Sequence, residues 1–302
     1  MPDGTPKATK EPMVRSIGLI LAAAALFGTT GTVLANGPVN VDAVTAGVVR
    51  LLVGGLGLVI LSWRYLREVA SHTKTAFFGA IGVGSYQLCF FYSTRHAGVA
   101  VATVITIGSS PLFARIIGAL RRRPAPHRLW YVAALILIAG MILLSVSPNA
   151  GDSIEIIGVL AALVAGLSYA AYTESAAILI GRELNSTAVM AALFFGAGVV
   201  TSPFLFFRPM AWISESRGVL MIAFLGLVTL TLAYVAFGKG LQKLVPTTVV
   251  MLTLLEPVVA TLLAYLVLHE DVSGQSWFGM SLVLVGLPII AISVQGPTTV
   301  KA

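Results

Sequence analysis

Four ionisable side chains sit inside apolar runs of this sequence: Arg50, Arg115, Glu174 and Glu256. A lone charge in hydrocarbon is costly, so such groups face a bundle interior or water and mark pathways, gates and ion sites. Glu256 directly precedes Pro257. That proline has no N–H for the carbonyl four residues back, at Thr253, so a kink is expected there. A carboxylate at a mid-membrane kink suits a gate, or a site for a substrate amine or a proton. The plainer reading is a buried carboxyl kept neutral, or one hydrogen-bonded to Thr253. Arg50 lies about two turns into its helix, where it can line a cavity or pair with a carboxylate. Glu174 falls close in sequence to Tyr169 and Tyr172. Arg50, Glu174, Glu256, Pro257 and the matching Pro111 are the expected gating or coupling residues. Arg115 is near enough to its helix end to snorkel towards Arg121–Arg123, as an anchor.

Hydroxyls and aromatic rings recur at helical spacing. Thr103, Thr106 and Ser110 form one stripe, and Ser168, Tyr172 and Ser175 another. Tyr86 with Phe90, Tyr234 with Thr231, and Tyr265 with Thr261 add to them. A cavity lined this way could hold an apolar or aromatic side chain and hydrogen-bond a polar head. The expected substrate-binding set is Tyr86, Thr103, Thr106, Ser110, Tyr169, Tyr172, Tyr234 and Glu256. For any one of these, the competing role is glue between helices.

Enzyme signatures are missing. No GxSxG occurs. Gly238-Lys239 lacks the phosphate-loop context, with Ala233 and Gly240 at the positions that need Gly and Ser or Thr. His72, His96, His127 and His269 are scattered, and with the single Cys89 they make no metal set, so no cofactor or metal is expected. His269-Glu270-Asp271 reads as a solvated turn or cap.

The elements that must position these residues follow from composition. Of 302 residues, 57% are hydrophobic and 10% charged, against about 25% charged in soluble domains. Mean hydropathy is +0.95. Lipid is the solvent that accepts such a surface. The expected fold is an all-α polytopic membrane protein of ten transmembrane helices: about 16–34, 43–63, 76–94, 99–120, 128–146, 154–179, 186–206, 217–238, 246–268 and 276–294. Asn36-Gly37-Pro38, Pro124-Ala125-Pro126 and Ser147-Pro148-Asn149 punctuate them. No cleavable signal peptide is expected, since spans continue after the first apolar run.

The net charge of +7 points away from nucleic acid, because the basic residues gather at helix ends. With the N-terminus inside, 14 Lys and Arg fall in inner segments and 3 (Arg95, Arg208, Arg217) in outer loops, leaving Arg50 and Arg115 within spans. Cytoplasmic loops carry such an excess, so both termini are expected in the cytoplasm.

The two halves echo each other. Ala24, Gly28 and Thr32 recur as Ala162, Gly166 and Ala170, each 138 positions later. Ser110-Pro111 recurs as Glu256-Pro257, and Gly140 as Gly286, each 146 later. Five spans per half force the halves to insert in opposite senses, an architecture typical of secondary transporters. The expected divisions are a cytoplasmic tail 1–15, repeats 16–146 and 154–294 around a central cavity, and a tail 295–302.

Phe27-Gly28 in the first span, Arg50 in the second, Pro111 and Glu256-Pro257 in matching spans, and Glu270 with Gly279 and Gly286 resemble, in that order, the drug/metabolite transporter superfamily. The EamA branch, which includes bacterial amino-acid and metabolite exporters, is most similar. The sequence departs from the family at Phe27, often Trp there, and at Arg121–Arg123, where an acidic residue is common. The resemblance implies a basket-like bundle that exports a small-molecule substrate across the bacterial inner membrane. Glu256 and Pro257 match its ninth-span motif and Arg50 its second-span motif. Together these readings give the expectation of an alternating-access exporter of amino acids, aromatic or large apolar ones preferred, or of similar small metabolites. It would act as a monomer in the lipid bilayer. A multidrug exporter of cationic aromatic compounds is the alternative, and a membrane-embedded enzyme or scaffold the alternative of another class.

Overall fold

The computed structural model describes residues 11–145 and 155–295. The tails 1–10 and 296–302, with Lys7, Lys10 and Lys301, and the Ser147-Pro148-Asn149 break lie outside the described residues. Those residues contain no strand. Their long helices are α1 (Glu11–Ala35), α2 (Ala43–Ser62), α3 (Thr73–Ala97), α4 (Val99–Leu120), α5 (Arg128–Ser145), α6 (Ile156–Ile180), α7 (Ser186–Thr201), α8 (Ser216–Leu241), α9 (Pro246–Val267) and α10 (Gly274–Gln295). By length and composition, 8 are apolar enough to cross a membrane. The other two are α3 and α5. α3 has the length but carries polar groups such as Lys74, Gln87 and Arg95, and α5 is apolar but short.

Local chemistry sets the ends. Asp42 caps α2, its carboxylate accepting the Thr45 N–H at 2.9 Å. Asn185 caps α7 through the Ala188 N–H at 3.1 Å. A single residue, Gly98 with φ of 80°, joins α3 to α4, a backbone region that suits glycine. His269 takes φ of 57° and the Glu270 N–H returns to the Ala264 carbonyl at 3.1 Å. The His-Glu-Asp triplet is thus the C-terminal cap of α9.

The packing pattern maps onto itself when α1–α5 are exchanged for α6–α10. α2 packs on α7, and α5 on α10. α1 packs on α8 and α9, just as α6 packs on α3 and α4. The small-residue rows lie in these seams. A Cβ on Gly28 would meet the Glu256 carbonyl oxygen and Val259 of α9, and one on Gly166 would meet Ser109 and the Thr106 carbonyl of α4. Gly140 abuts the Gly279 backbone across the α5–α10 seam. Absent side chains let the backbones close up, and helix contact without a hydrophobic driving force depends on that closeness.

Candidate functional site

α9 is broken at its centre. Its two pieces are Pro246–Leu252 and Leu255–Val267. Pro257 withholds an N–H from the Thr253 carbonyl, as expected. That carbonyl is not left open, however: the Glu256 N–H donates to it at 2.9 Å. Glu256 therefore stands in the first turn of the second piece, the positive end of that half-helix. Its side chain is half-buried while Thr253, Leu254, Pro257 and Val258 around it are buried. The matching proline in α4 behaves differently. Pro111 releases the Ile107 carbonyl, and the Ser110 hydroxyl takes it at 2.8 Å, so α4 runs on unbroken.

Aromatic rings from five helices close around this break. Tyr86 of α3 lies 5.7 Å from Tyr169 and 6.2 Å from Tyr172, both of α6. Tyr172 meets Phe194 of α7 at 5.7 Å, and Phe194 meets Tyr234 of α8 at 3.8 Å. Phe27 of α1 completes the arc 5.0 Å from Tyr234. The phenols are tied together. Tyr169 shares a 2.8 Å hydrogen bond with the Thr253 hydroxyl, and Tyr172 one of 3.2 Å with Tyr234. The Thr253 hydroxyl also donates to the Val250 carbonyl at 2.8 Å, so Tyr169 is the donor at the break.

Arg50 reaches this arc from α2. Its Nη2 donates to the Thr229 carbonyl at 3.1 Å, while Nε is buried without a partner. The middle of α8, Phe224–Leu232, is wound as a π-helix. The wider turn alters the carbonyl register, and such turns collect at functional sites. The Thr231 hydroxyl bridges α8 to α2 through the Gly54 carbonyl at 2.8 Å. Glu256 lies within electrostatic reach of Arg50, Tyr86, Tyr169 and Tyr234. Among the described residues the ion pairs run elsewhere, so Arg50 and Glu256 interact through space without forming one.

A model of the EamA-like transporter family matches twice, over residues 14–146 and 156–292. The chain belongs to the EamA-like transporter family. Most of its length is also similar to transporters. It is 34% identical to the Bacillus subtilis (strain 168) "Uncharacterized transporter YwfM" over 94% of this chain and 96% of that protein. It is 26% identical to the Salmonella typhimurium strain LT2 "Uncharacterized inner membrane transporter YicL" over 90% of this chain and 94% of the other. A solved crystal structure shares the fold with a TM-score of 0.80 at 17% identity, covering 93% of this chain and 97% of that one. The superfamily read from the motif order is therefore the right one, and the protein is a transporter.

Not every residue singled out in this EamA-like chain meets at the break. Tyr86, Tyr169, Tyr172, Tyr234, Arg50, Glu256 and Pro257 do. Thr106 spends its hydroxyl on the Ala162 carbonyl at 3.1 Å, in the α4–α6 seam. Ser110 serves its own helix, Pro111 is buried there, and Thr103 is half-buried on the same helix. Glu174 is held elsewhere, 3.0 Å from Arg121 and 2.7 Å from Arg123. Arg122 adopts φ of 57° and ends α4, turning Arg123 back so that both neighbours flank the carboxylate. Arg115 meets the Tyr131 hydroxyl at 3.3 Å. Phe194 and Phe237 join the arc without having been singled out, since neither stands in a motif or beside a hydroxyl stripe. The π-helical turn had no sequence signal either.

Proposed function

We propose that this transporter exports amino acids, aromatic or large apolar ones preferred, and that the broken α9 with its aromatic arc is the binding site. The observation that carries the reading is the pair Arg50 and Glu256. They are a cation with an unused buried donor and a half-buried carboxylate, within electrostatic reach of each other but joined by no ion pair among the described residues. A zwitterion supplies what each lacks. Its carboxylate satisfies the guanidinium, which binds carboxylates through a planar fork. Its ammonium satisfies Glu256, and its side chain lies against Tyr86, Tyr169 and Tyr172. A buried charge without a partner is unfavourable, so the filled site is favoured over the empty one.

In this reading all ten long helices cross the bilayer, α3 and α5 included, with both termini in the cytoplasm and two inverted repeats. The self-matching packing and the doubled family match support the repeats. The inner membrane fits a family relative described by that location. The monomer rocks about the central break, driven by substrate or proton gradients, and no chemical change of substrate is involved. The ion pairs of Glu174 with Arg121 and Arg123 join the two halves at the basic end, where a gate would act.

Uptake of radiolabelled phenylalanine and leucine into liposomes holding the purified protein, with and without a pH gradient, tests this. Saturable, mutually competing uptake is expected, with Arg50→Gln and Glu256→Gln each reducing it at least tenfold. No uptake above empty liposomes by folded protein would sink the amino-acid reading. The arc and Glu256 would also suit cationic aromatic compounds. Dye efflux that survives Arg50→Gln but not Glu256→Gln would mark that substrate class instead.

A further inference from the structure

Gly238-Lys239-Gly240, which is no phosphate loop by its spacing, has a structural role at the end of α8. A Cβ on Gly238 would press on Met190 and the Ser186 carbonyl of α7, and one on Gly240 on Ile20 and the Ser16 carbonyl of α1. The two glycines thus wedge the last turn of α8 between the starts of α7 and α1. Lys239, between them, is left facing outwards, and Lys243 follows one turn later. A cavity of about 580 Å³ opens there, lined by Arg15, Ser16, Asn185, Thr187, Lys239 and Lys243 among others.

Among the described residues, the lining holds three cations from two helix ends and no Asp or Glu. Among the described residues, the ion pairs involve His96, Arg121, Arg123 and Arg208, and leave Arg15, Lys239 and Lys243 out. At the start of α7, Asn185 covers the Ala188 N–H. The N–H groups of Ser186 and Thr187 precede the first N–H with an intrahelical acceptor, that of Val189 on the Asn185 carbonyl, and carry the positive end of the helix. Three like charges in one cavity repel, and an anion relieves them. This end of the molecule is the one that the Lys and Arg distribution assigns to the cytoplasm, where anionic headgroups lie.

We propose that this cavity is a binding site for a phosphate-bearing anion, separate from the central break and independent of what that break transports. The full-length protein in neutral detergent would be titrated with short-chain phosphatidylglycerol, short-chain phosphatidylcholine or inorganic phosphate, and binding read by native mass spectrometry. Preferential retention of phosphatidylglycerol over phosphatidylcholine, weakened by salt, is expected. One cation at such a surface is worth about fivefold in affinity, so Lys239→Gln with Lys243→Gln should weaken binding roughly 25-fold. Phosphatidylglycerol binding without phosphate binding identifies a lipid headgroup, and phosphate binding alone identifies a soluble anion. A control removes two charges elsewhere on the same face, Arg64→Gln with Arg67→Gln. Equal loss in the control and the cavity variant would overturn the proposal, as would no preference for any phosphate anion over phosphatidylcholine.

Discussion

Replacing Gly28 with alanine adds one methyl where α1 crosses the break in α9. That Cβ would lie 2.7 Å from the Glu256 carbonyl oxygen and 2.7 Å from Val259 Cβ. Relaxed carbon contacts sit at about 3.5–4.0 Å, so the helices must part by roughly 1 Å at the residue that carries the carboxylate. Overpacking of this kind costs about 1–3 kcal/mol. Better helix propensity returns about 0.5–1 kcal/mol of it. The net expectation is a loss of up to about 2.5 kcal/mol against the wild type, and a several-fold rise in the half-saturation of transport as Glu256 shifts against Arg50. Gly31→Ala is the internal control. Nothing lies within 4 Å of its Cβ position, so the same chemical change should be neutral or stabilising. Thermal unfolding in detergent and uptake into liposomes would be measured on both variants. If Gly28→Ala proved as stable as Gly31→Ala and transported with wild-type half-saturation, the close approach of α1 would not be what sets the geometry of the break.

Two further outcomes follow from the hydrogen-bond and ion-pair geometry. Ser110→Ala strands the Ile107 carbonyl that Pro111 has already released, and should destabilise by about 1–3 kcal/mol; in a Pro111→Ala background, where a backbone N–H can take that carbonyl, most of the loss should vanish from the unfolding curve. Removing Arg121 and Arg123 together leaves Glu174, whose side chain is only 6% accessible, buried without a partner. A cost of up to about 3 kcal/mol is expected, discounted because Arg121 is half exposed and its share is screened; adding Glu174→Gln should restore stability, and failure to do so would mean that the charge pair does not hold this end together.

The membrane class, the helix boundaries to within a few residues, the superfamily and the small-residue seams all rest on local or periodic properties of the chain. Apolar runs, capping residues and glycine spacing act within one helix, so the sequence alone determined them. The pairing of Arg50 with the arc around Glu256 could be suspected, because a charge in an apolar run must face something polar. What it would face was not visible. Glu174 is two residues from Tyr172 in sequence and yet turns to Arg121 and Arg123, some 50 residues away, because Arg122 ends α4 in a left-handed turn. Thr106 carries the hydroxyl of a cavity residue and spends it on a neighbouring helix. Two prolines in matching spans meet opposite fates: a serine hydroxyl heals one helix, and a backbone N–H at Glu256 closes the other across a break. Each of these was decided by which partner lay within about 3 Å once the helices had packed, and that distance between residues far apart in the chain belongs to the tertiary structure alone.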